Sequence, residues 1–332
     1  LRTRTAHSRP PVSRRSSKRT LSPLRSVLAL GTWGLLAASL IGFLGRTWFV
    51  FELASHFPVQ YGLAAGAATL FWLRKSRLML AVSVGVLVWS GIQVLPWLMA
   101  SPPPAPEKRD FRVLHSNVFF VEHDTRRVVA LIEKEQPDLF VLHEMIPKTI
   151  RKIDRATRAK YPYQFSTWAK NECYILVGSR TPIRIDRKAW LENRTIHYRT
   201  ILNGRPLHFI TVHPRTPTVG WWFRERNEQL AYVAGLARRQ REPTLLIGDF
   251  NTSVWSPIYH DLIRVSGLNA CRWGYGLAPT WNNLTGIPLL MIPIDHALIN
   301  DGLQTVGFRT EDLPKSDHKS LVVDLAFRKD HN

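Results

Sequence analysis

Sulfur and negative charge are both scarce in this chain. Two cysteines, Cys173 and Cys271, occur in 332 residues, too few for a disulfide scaffold or a zinc ribbon. An exported domain could pair them, and spacing alone leaves that open. Asp and Glu number 25 against 45 Lys and Arg, a formal charge of +20. No internal repeat is apparent. Residue 1 is Leu, as expected of a processed or fragmentary start.

Charge is also nearly absent from three blocks in the first hundred residues, 27–45, 49–73 and 78–100. Each is near the ~20 apolar residues needed to cross a bilayer. A signal peptide has a single apolar region of about 7 to 15 residues, so the pattern predicts a transmembrane region over 26–100 with about three helices. The middle block is interrupted by Glu52, His56 and Gln60, which would shorten its span to about 61–73. Basic residues flank these blocks as topology signals. Arg2, Arg4, Arg9, Arg14, Arg15, Lys18, Arg19 and Arg25 precede the first, and Arg74, Lys75 and Arg77 lie between the second and third. The positive-inside rule makes 1–25 a cytoplasmic arm and leaves everything after the third block extracytoplasmic. The helices would contact membrane lipid.

The Pro-rich stretch 101–110 reads as a semi-rigid linker. From Ser101 onward, 33 Lys and Arg face 24 Asp and Glu, an excess that favours an anionic substrate or surface. Short apolar runs then alternate with amphipathic segments. Residues 111–114 open a strand ending in His115-Ser116-Asn117; 124–136 reads as a helix capped by Asp124; 139–142 is a strand ending in His143-Glu144. A run at 174–177 follows, and residues 201–212 form a hairpin turned at Asn203-Gly204, running into His213. A loop holding Trp221, Trp222 and Phe223 leads to a helix over 225–238. The run 243–247 is broken at Gly248 before Asp249-Phe250-Asn251; if the backbone stays extended, Asp249 and Asn251 point the same way. The segment 257–265 looks helical, and Thr280-Trp281 sits in a loop. Ile294-Asp295-His296 begins another strand, and Ser316-Asp317-His318 leads the last. Strands, helices and hairpins interleaved this way predict an α/β domain with mixed sheets over 111–328.

Polar residues at the rims of successive strands mark a ligand site in such a fold. Here they are Asn117, Glu144, His213, Asp249, Asn251, Asp295, Asp317 and His318. The carboxylates and amides are hard oxygen ligands suited to Mg²⁺ or Mn²⁺ over zinc. Histidine beside them can keep a charge or pass a proton near neutral pH. The inventory suits metal-assisted attack of water on phosphorus.

Asn117, the strand-ending Glu144, Gly-Asp249-Phe-Asn251, Ile-Asp295-His and Ser-Asp317-His318, in this order, resemble the motifs of the endonuclease/exonuclease/phosphatase superfamily, here as a deoxyribonuclease-like, membrane-anchored, bacterial-type member. The resemblance covers about residues 111–327. It implies a four-layer α/β sandwich, two mixed sheets with outer helices, and a metal-dependent phosphoesterase. It further implies that Glu144, Asn117 and Asp317 hold the metal, and that Asp249 positions or deprotonates the attacking water. Asn251 would bind the scissile phosphate, Asp295 would orient His318, and His213 would sit on a non-bridging oxygen; whether Asp249 or His318 is the base stays open. Trp281 and Arg224, with Arg226, are candidate substrate contacts. His115, His123, His143, His197, His208, His260 and His296 read as surface or packed histidines, with His143 also a candidate extra ligand. The resemblance implies a nuclease-like hydrolase of phosphodiesters or phosphomonoesters. The alternatives are a phospholipid or sphingomyelin-type phosphodiesterase, a small-molecule phosphatase, and a non-catalytic membrane-anchored module binding an anionic partner.

Overall fold

The computed structural model describes residues 23–120, 124–169, 173–282 and 285–328. Most of the basic arm, His123, and Asn171 and Glu172 lie outside them. Two six-stranded sheets face each other. The first has the order β11-β12-β1-β2-β4-β3 and the second β5-β6-β7-β8-β10-β9. The first sheet is built from β1 (Phe111–Asn117), β2 (Leu139–Met145), β3 (Tyr163–Trp168), β4 (Tyr174–Ser179), β11 (Leu303–Asp312) and β12 (Lys319–Phe327). The second uses β5 (Ile183–Ile185), β6 (Ile196–Leu202), β7 (Arg205–Thr211), β8 (Thr244–Asp249), β9 (Asn269–Ala270) and β10 (Asp295–Ile299).

Among the described residues, every pairing of these strands is antiparallel except β1 with β2 and β7 with β8. Parallel neighbours need a crossover, and helices supply it: α5 (Arg126–Glu135) joins β1 to β2, and α8 (Gly220–Arg238) joins β7 to β8. The four strands of these two pairs therefore end at the same side. Their antiparallel partners β10 and β12 begin there.

Alternation of apolar residues fills three layers. Phe111 and Val113 of β1, with Leu245 and Ile247 of β8, enter the core between the sheets. Leu114 instead packs against Val128, Leu131 and Ile132 of α5 and Ile153 of α6 (Pro147–Thr157). Leu246 packs against Leu230 and Val233 of α8 and Leu262 of α9 (Pro257–Ser266). The result is the expected α/β sandwich with two mixed sheets and outer helices. The hairpin expected at Asn203-Gly204 joins β6 to β7, with positive φ at both residues, the requirement of a tight two-residue turn.

Some boundaries differ from the expectation. Trp221, Trp222 and Phe223 form the first turn of α8 rather than a loop. Asp124 precedes α5 but its carboxylate accepts from Arg126 N, one turn position short of a cap on the helix interior. Cys271 is buried and forms no disulfide with Cys173.

The close packing makes one glycine critical. A Cβ at Gly178 would lie 2.2 Å from the Phe140 ring, which is itself fully buried. Gly178→Ala is therefore expected to destabilise the fold by about 3 kcal/mol, the upper end of ordinary overpacking, as a shift of the urea midpoint at constant slope.

Before the sandwich come α1 (Pro23–Ile41), α2 (Phe49–Ala54), α3 (Pro58–Trp72) and α4 (Arg77–Met99). Among the described residues, two helical stretches are long and apolar enough to cross a membrane, Pro23–Leu44 and Arg77–Met99. The middle block is shorter than either. It breaks around Ser55 to Phe57, where Pro58 starts α3, and a helix of 15 residues extends only about 22 Å against a core of ~30 Å. The physical reason is Glu52, which turns into the protein and so fixes α2 against the sandwich.

Candidate active site

Asn117 ends β1, Glu144 lies near the end of β2, His213 follows β7 and Asp249 ends β8. Asp295 opens β10 directly opposite Asp249, and His318 immediately precedes β12. The convergence of strand ends thus brings together six residues that are far apart in sequence.

Local backbone sets their directions. Glu144 has φ 55° within an irregularity of β2 between Leu142 and Met145; a bulge re-aims a side chain, and a left-handed glutamate is a strained residue of the sort found at functional sites. Gly248 does not break its strand as expected. β8 runs through it to Asp249, and glycine is needed because a Cβ would stand 2.4 Å from Val212 O. Nor does the backbone stay extended beyond Asp249. Asn251 has φ 51°, and its N–H donates to Asp249 Oδ1 at 2.9 Å. Its side-chain Nδ2 donates to Pro214 O at 3.1 Å.

Asp249 is the centre of the electrostatics. Its Oδ2 accepts from Asn117 Nδ2 at 3.1 Å and faces His213 Nε2 at 3.3 Å and His318 Nε2 at 3.7 Å. Burial opposes ionisation of Asp249, but His318 and His213 outweigh it and hold the carboxyl far below its usual range. Burial likewise opposes charge on His318. Asp295, whose Oδ2 is 2.8 Å from Nδ1, and Asp249 overcome this and push His318 up to about 10. Against the same burial, Asp249 and then Glu144 raise His213. The site therefore sets a carboxylate held low beside two imidazoles whose pKa values are raised.

Several oxygens near the site are of the kind a hard divalent ion takes. Asp317 Oδ1 is buried without a hydrogen-bond partner, while Oδ2 accepts from Trp281 Nε1 at 3.2 Å. Burial raises the Asp317 carboxyl, and nearby Glu144 adds to that, so added positive charge would be favourable there. Glu144 keeps 18% of its side chain exposed, and its Oε1 accepts from Asn117 Nδ2 at 3.0 Å. Asn117 Oδ1 accepts from Phe119 N, so a turn of its amide would be needed to present oxygen to an ion. The residues fit an oxygen-preferring ion. Ligand atoms of Asp249, Asp295 and His318 also lie within 4.8 Å of one another. In that group His318 Nδ1 and Asp295 Oδ2 already bond each other at 2.8 Å, which leaves His318 Nε2 and Asp295 Oδ1 as the atoms open to an ion.

Trp281 is partly exposed at the rim, bridging to His318 and Ile292. Arg224 is exposed on α8 and lines a hollow with Arg46 and Trp48. Arg226 is no phosphate clamp and no solvated residue. It is fully buried and donates to Glu52 and to Asn251 O.

Three more residues support the site: His115 and His143, read from the sequence as surface or packed histidines, and Arg272, which the sequence did not mark. His143 stacks on His213 with ring centroids 4.9 Å apart and bonds Thr211 Oγ1 at 3.0 Å. His115 contacts His143 at 3.3 Å and lies 3.6 Å from Asp295 Oδ1. Burial first, then neighbouring charge, drives His143 well down, and burial lowers His115 to about 4, so both are neutral packing under the site. His143 is a packed neighbour, without contact to Glu144 among its hydrogen bonds. Arg272 is fully buried, donates to the carbonyls of Asp295, Leu277 and Ala278, and is lowered to about 10 by burial. The sequence signal of the two histidines is position: His115 and His143 follow the apolar runs of β1 and β2 and stand just before Asn117 and Glu144.

A model of the Endonuclease/Exonuclease/phosphatase family matches residues 114–318. No curated protein matches the chain. Solved structures that resemble it include an endonuclease/exonuclease/phosphatase from Beutenbergia cavernae, 21% identical over 66% of this chain and 72% of that one, TM-score 0.53. D. rerio TDP2 complexed with single strand DNA product is 14% identical over 65% and 98%, TM-score 0.54. A family protein from Bacteroides thetaiotaomicron is 16% identical over 66% and 98%, TM-score 0.53. At these identities the likeness is one of fold.

Proposed function

Because the chain belongs to the endonuclease/exonuclease/phosphatase family, and is by that membership a phosphoesterase-class hydrolase, we propose that it hydrolyses phosphodiester or phosphomonoester bonds with Mg²⁺ or Mn²⁺. The observation that carries this is the convergence of Asn117, His213 and His318 on one oxygen of Asp249, with the Glu144 carboxylate alongside. In this reading Asp249 accepts a hydrogen bond from the attacking water and orients it toward phosphorus. His213 and His318, both with raised pKa values, donate to the non-bridging oxygens as charge develops. Asp295 keeps the His318 ring in place through Nδ1, and the Asn251 amide adds a donor for the phosphate. Glu144, Asn117 and Asp317 would hold the metal, which supplies Lewis-acid stabilisation when bound.

Nucleic acid is the substrate class we put first. The cationic excess after Ser101 suits a polyanion, and TDP2, of similar fold, is described with a DNA product. A lipid phosphoester is the second reading. It is favoured by Ile287, Leu289 and Leu290, exposed on the turn after Trp281, which Gln60 of α3 ties down through Leu289 O at 2.7 Å. A small-molecule phosphatase would use the same centre. The full set of carboxylates argues against a non-catalytic binding module. We place 1–25 and the Arg74–Arg77 turn on the cytoplasmic side, α1, α3 and α4 as three crossings of the membrane, α2 against the catalytic domain, 101–110 as linker and the catalytic domain, 111–328, outside; α3, at 15 residues, crosses where the bilayer is locally thinned.

The full chain in detergent, offered plasmid and single-stranded DNA, sphingomyelin vesicles and a bis-aryl phosphodiester, tests the reading. EDTA is expected to stop turnover, and Mg²⁺ or Mn²⁺ to restore it. Glu144→Gln should need at least about tenfold more metal for half-maximal activity, the usual order for a weakened metal site. Turnover indifferent to EDTA would refute metal dependence.

A further inference from the structure

An apolar block that carries a glutamate poses a physical problem, because burying an unpaired carboxylate is prohibitive. Glu52 sits in such a block, on α2, and is fully buried. Its partners come from 174 to 204 residues away. One carboxylate oxygen pairs with the guanidinium of Arg226 on α8, also fully buried. The other accepts from Thr252 Oγ1 at 3.0 Å and Ser256 Oγ at 2.7 Å. Arg226 in turn donates through Nη1 to the carbonyl of Asn251 at 2.7 Å. Neighbouring contacts hold the same loop: His56 Nδ1 meets Ser253 Oγ at 2.9 Å, and Trp255 Nε1 donates to Gln93 O of α4 at 3.1 Å. The loop that leaves the catalytic strand β8 is therefore gripped, residue after residue, by the N-terminal helices.

A buried ion pair is poor evidence of stability. Apolar residues of similar volume often stabilise as well or better, and the best attested use of such a pair is to fix one arrangement among several. Here the arrangement fixed is the left-handed Asn251 and the loop after it. We propose that Glu52 is a positioning residue for the catalytic centre: through Arg226, Thr252 and Ser256 it sets the Asn251 backbone, so that α2 belongs to the catalytic unit and the N-terminal helices do more than tether it. The inference rests on the role proposed for Asn251. It also implies that residues 105–332 alone carry Arg226 without its counterion.

The test uses the full chain. Glu52→Ala leaves Arg226 unpaired, so its folding is checked beside the double variant Glu52→Leu/Arg226→Met, which removes the grip but supplies apolar volume in place of two buried charges. In both, kcat on a bis-aryl phosphodiester is expected to fall at least about 30-fold with KM within about threefold, the signature of a lost transition-state contact. Amide exchange across 250–256 should accelerate while that of β1 and β7 is unchanged. A double variant that folds with wild-type kcat, or with the exchange of 250–256 unaltered, overturns the proposal. If the wild-type chain turns over no phosphoester, the proposed function fails instead, and amide exchange alone decides whether Glu52 orders the loop.

Discussion

Asp249→Asn is expected to lose about 10³- to 10⁴-fold in kcat while the protein remains folded, the range for removal of a positioned acid–base group; at about 1.36 kcal/mol per decade that is ~4 to 5 kcal/mol of barrier. The amide keeps the size of the carboxylate and one oxygen, so the packing around β8 survives. What it loses is the negative charge on which Asn117, His213 and His318 converge. The charge does two jobs. It accepts the proton-bearing side of a water, and it raises the pKa of His213 against the burial that lowers it. The variant therefore carries a second, independent signature. With Asp249 neutral, the two largest contributions that oppose burial are gone, and His213 should titrate below the raised position it has in the wild type, as read by ring-proton NMR in the presence of chelator. Loss of activity with His213 unmoved would mean that Asp249 serves only the substrate and not the imidazole.

The fold was legible because its evidence is local. Runs such as 139–142 and 243–247 are too short and too apolar to be helices, and Asn203-Gly204 has few roles other than a tight turn. The candidate residues were conspicuous for the same reason: a carboxylate or imidazole at the end of an apolar run has no packing explanation. What stayed hidden depends on partners remote in sequence. Nothing near Glu52 announces Arg226, 174 positions later, so the glutamate reads as an interruption of an apolar block when it is what fastens α2 to the sandwich. Nothing near Arg272 shows that it will fasten the Asp295 carbonyl. His115 and His143 look like packed histidines and are packed histidines, but only the pairing of β1 with β2 reveals that they pack beneath the centre. Gly248 reads as a strand breaker by composition; its role is the 2.4 Å approach of Val212 O to the place a Cβ would occupy, which no local pattern encodes. Arg224 and Arg226 were indistinguishable as two cations on one helix start, and the helix phase separates them, one outward and one fully buried.

Asp295→Asn should lower kcat by about 10²- to 10³-fold, the scale of losing one charged donor to the developing negative charge, because Asp295 acts on the reaction only through His318. Its Oδ2 lies 2.8 Å from His318 Nδ1 and its backbone is fixed independently by Arg272 and by Thr280 Oγ1, which accepts from Asp295 N at 3.2 Å, so the substitution changes the charge without moving the strand. His318 is fully enclosed, and burial alone would lower its pKa; Asp295 is the strongest of the groups that bring it to about 10. Removing that charge leaves Asp249 and Asp317 to oppose burial, and the ring should lose its proton at a lower pH. The same shift has a consequence for stability that is read without substrate. A histidine whose folded pKa is raised contributes stability that is fully present below its unfolded value, about 6.5, and is lost as pH rises through the folded value. In urea unfolding with chelator present, wild type should exceed Asp295→Asn by a constant margin below about pH 6.5, and the margin should close as pH approaches 10. A margin independent of pH across that window would mean that Asp295 holds His318 by geometry alone and leaves its charge to Asp249.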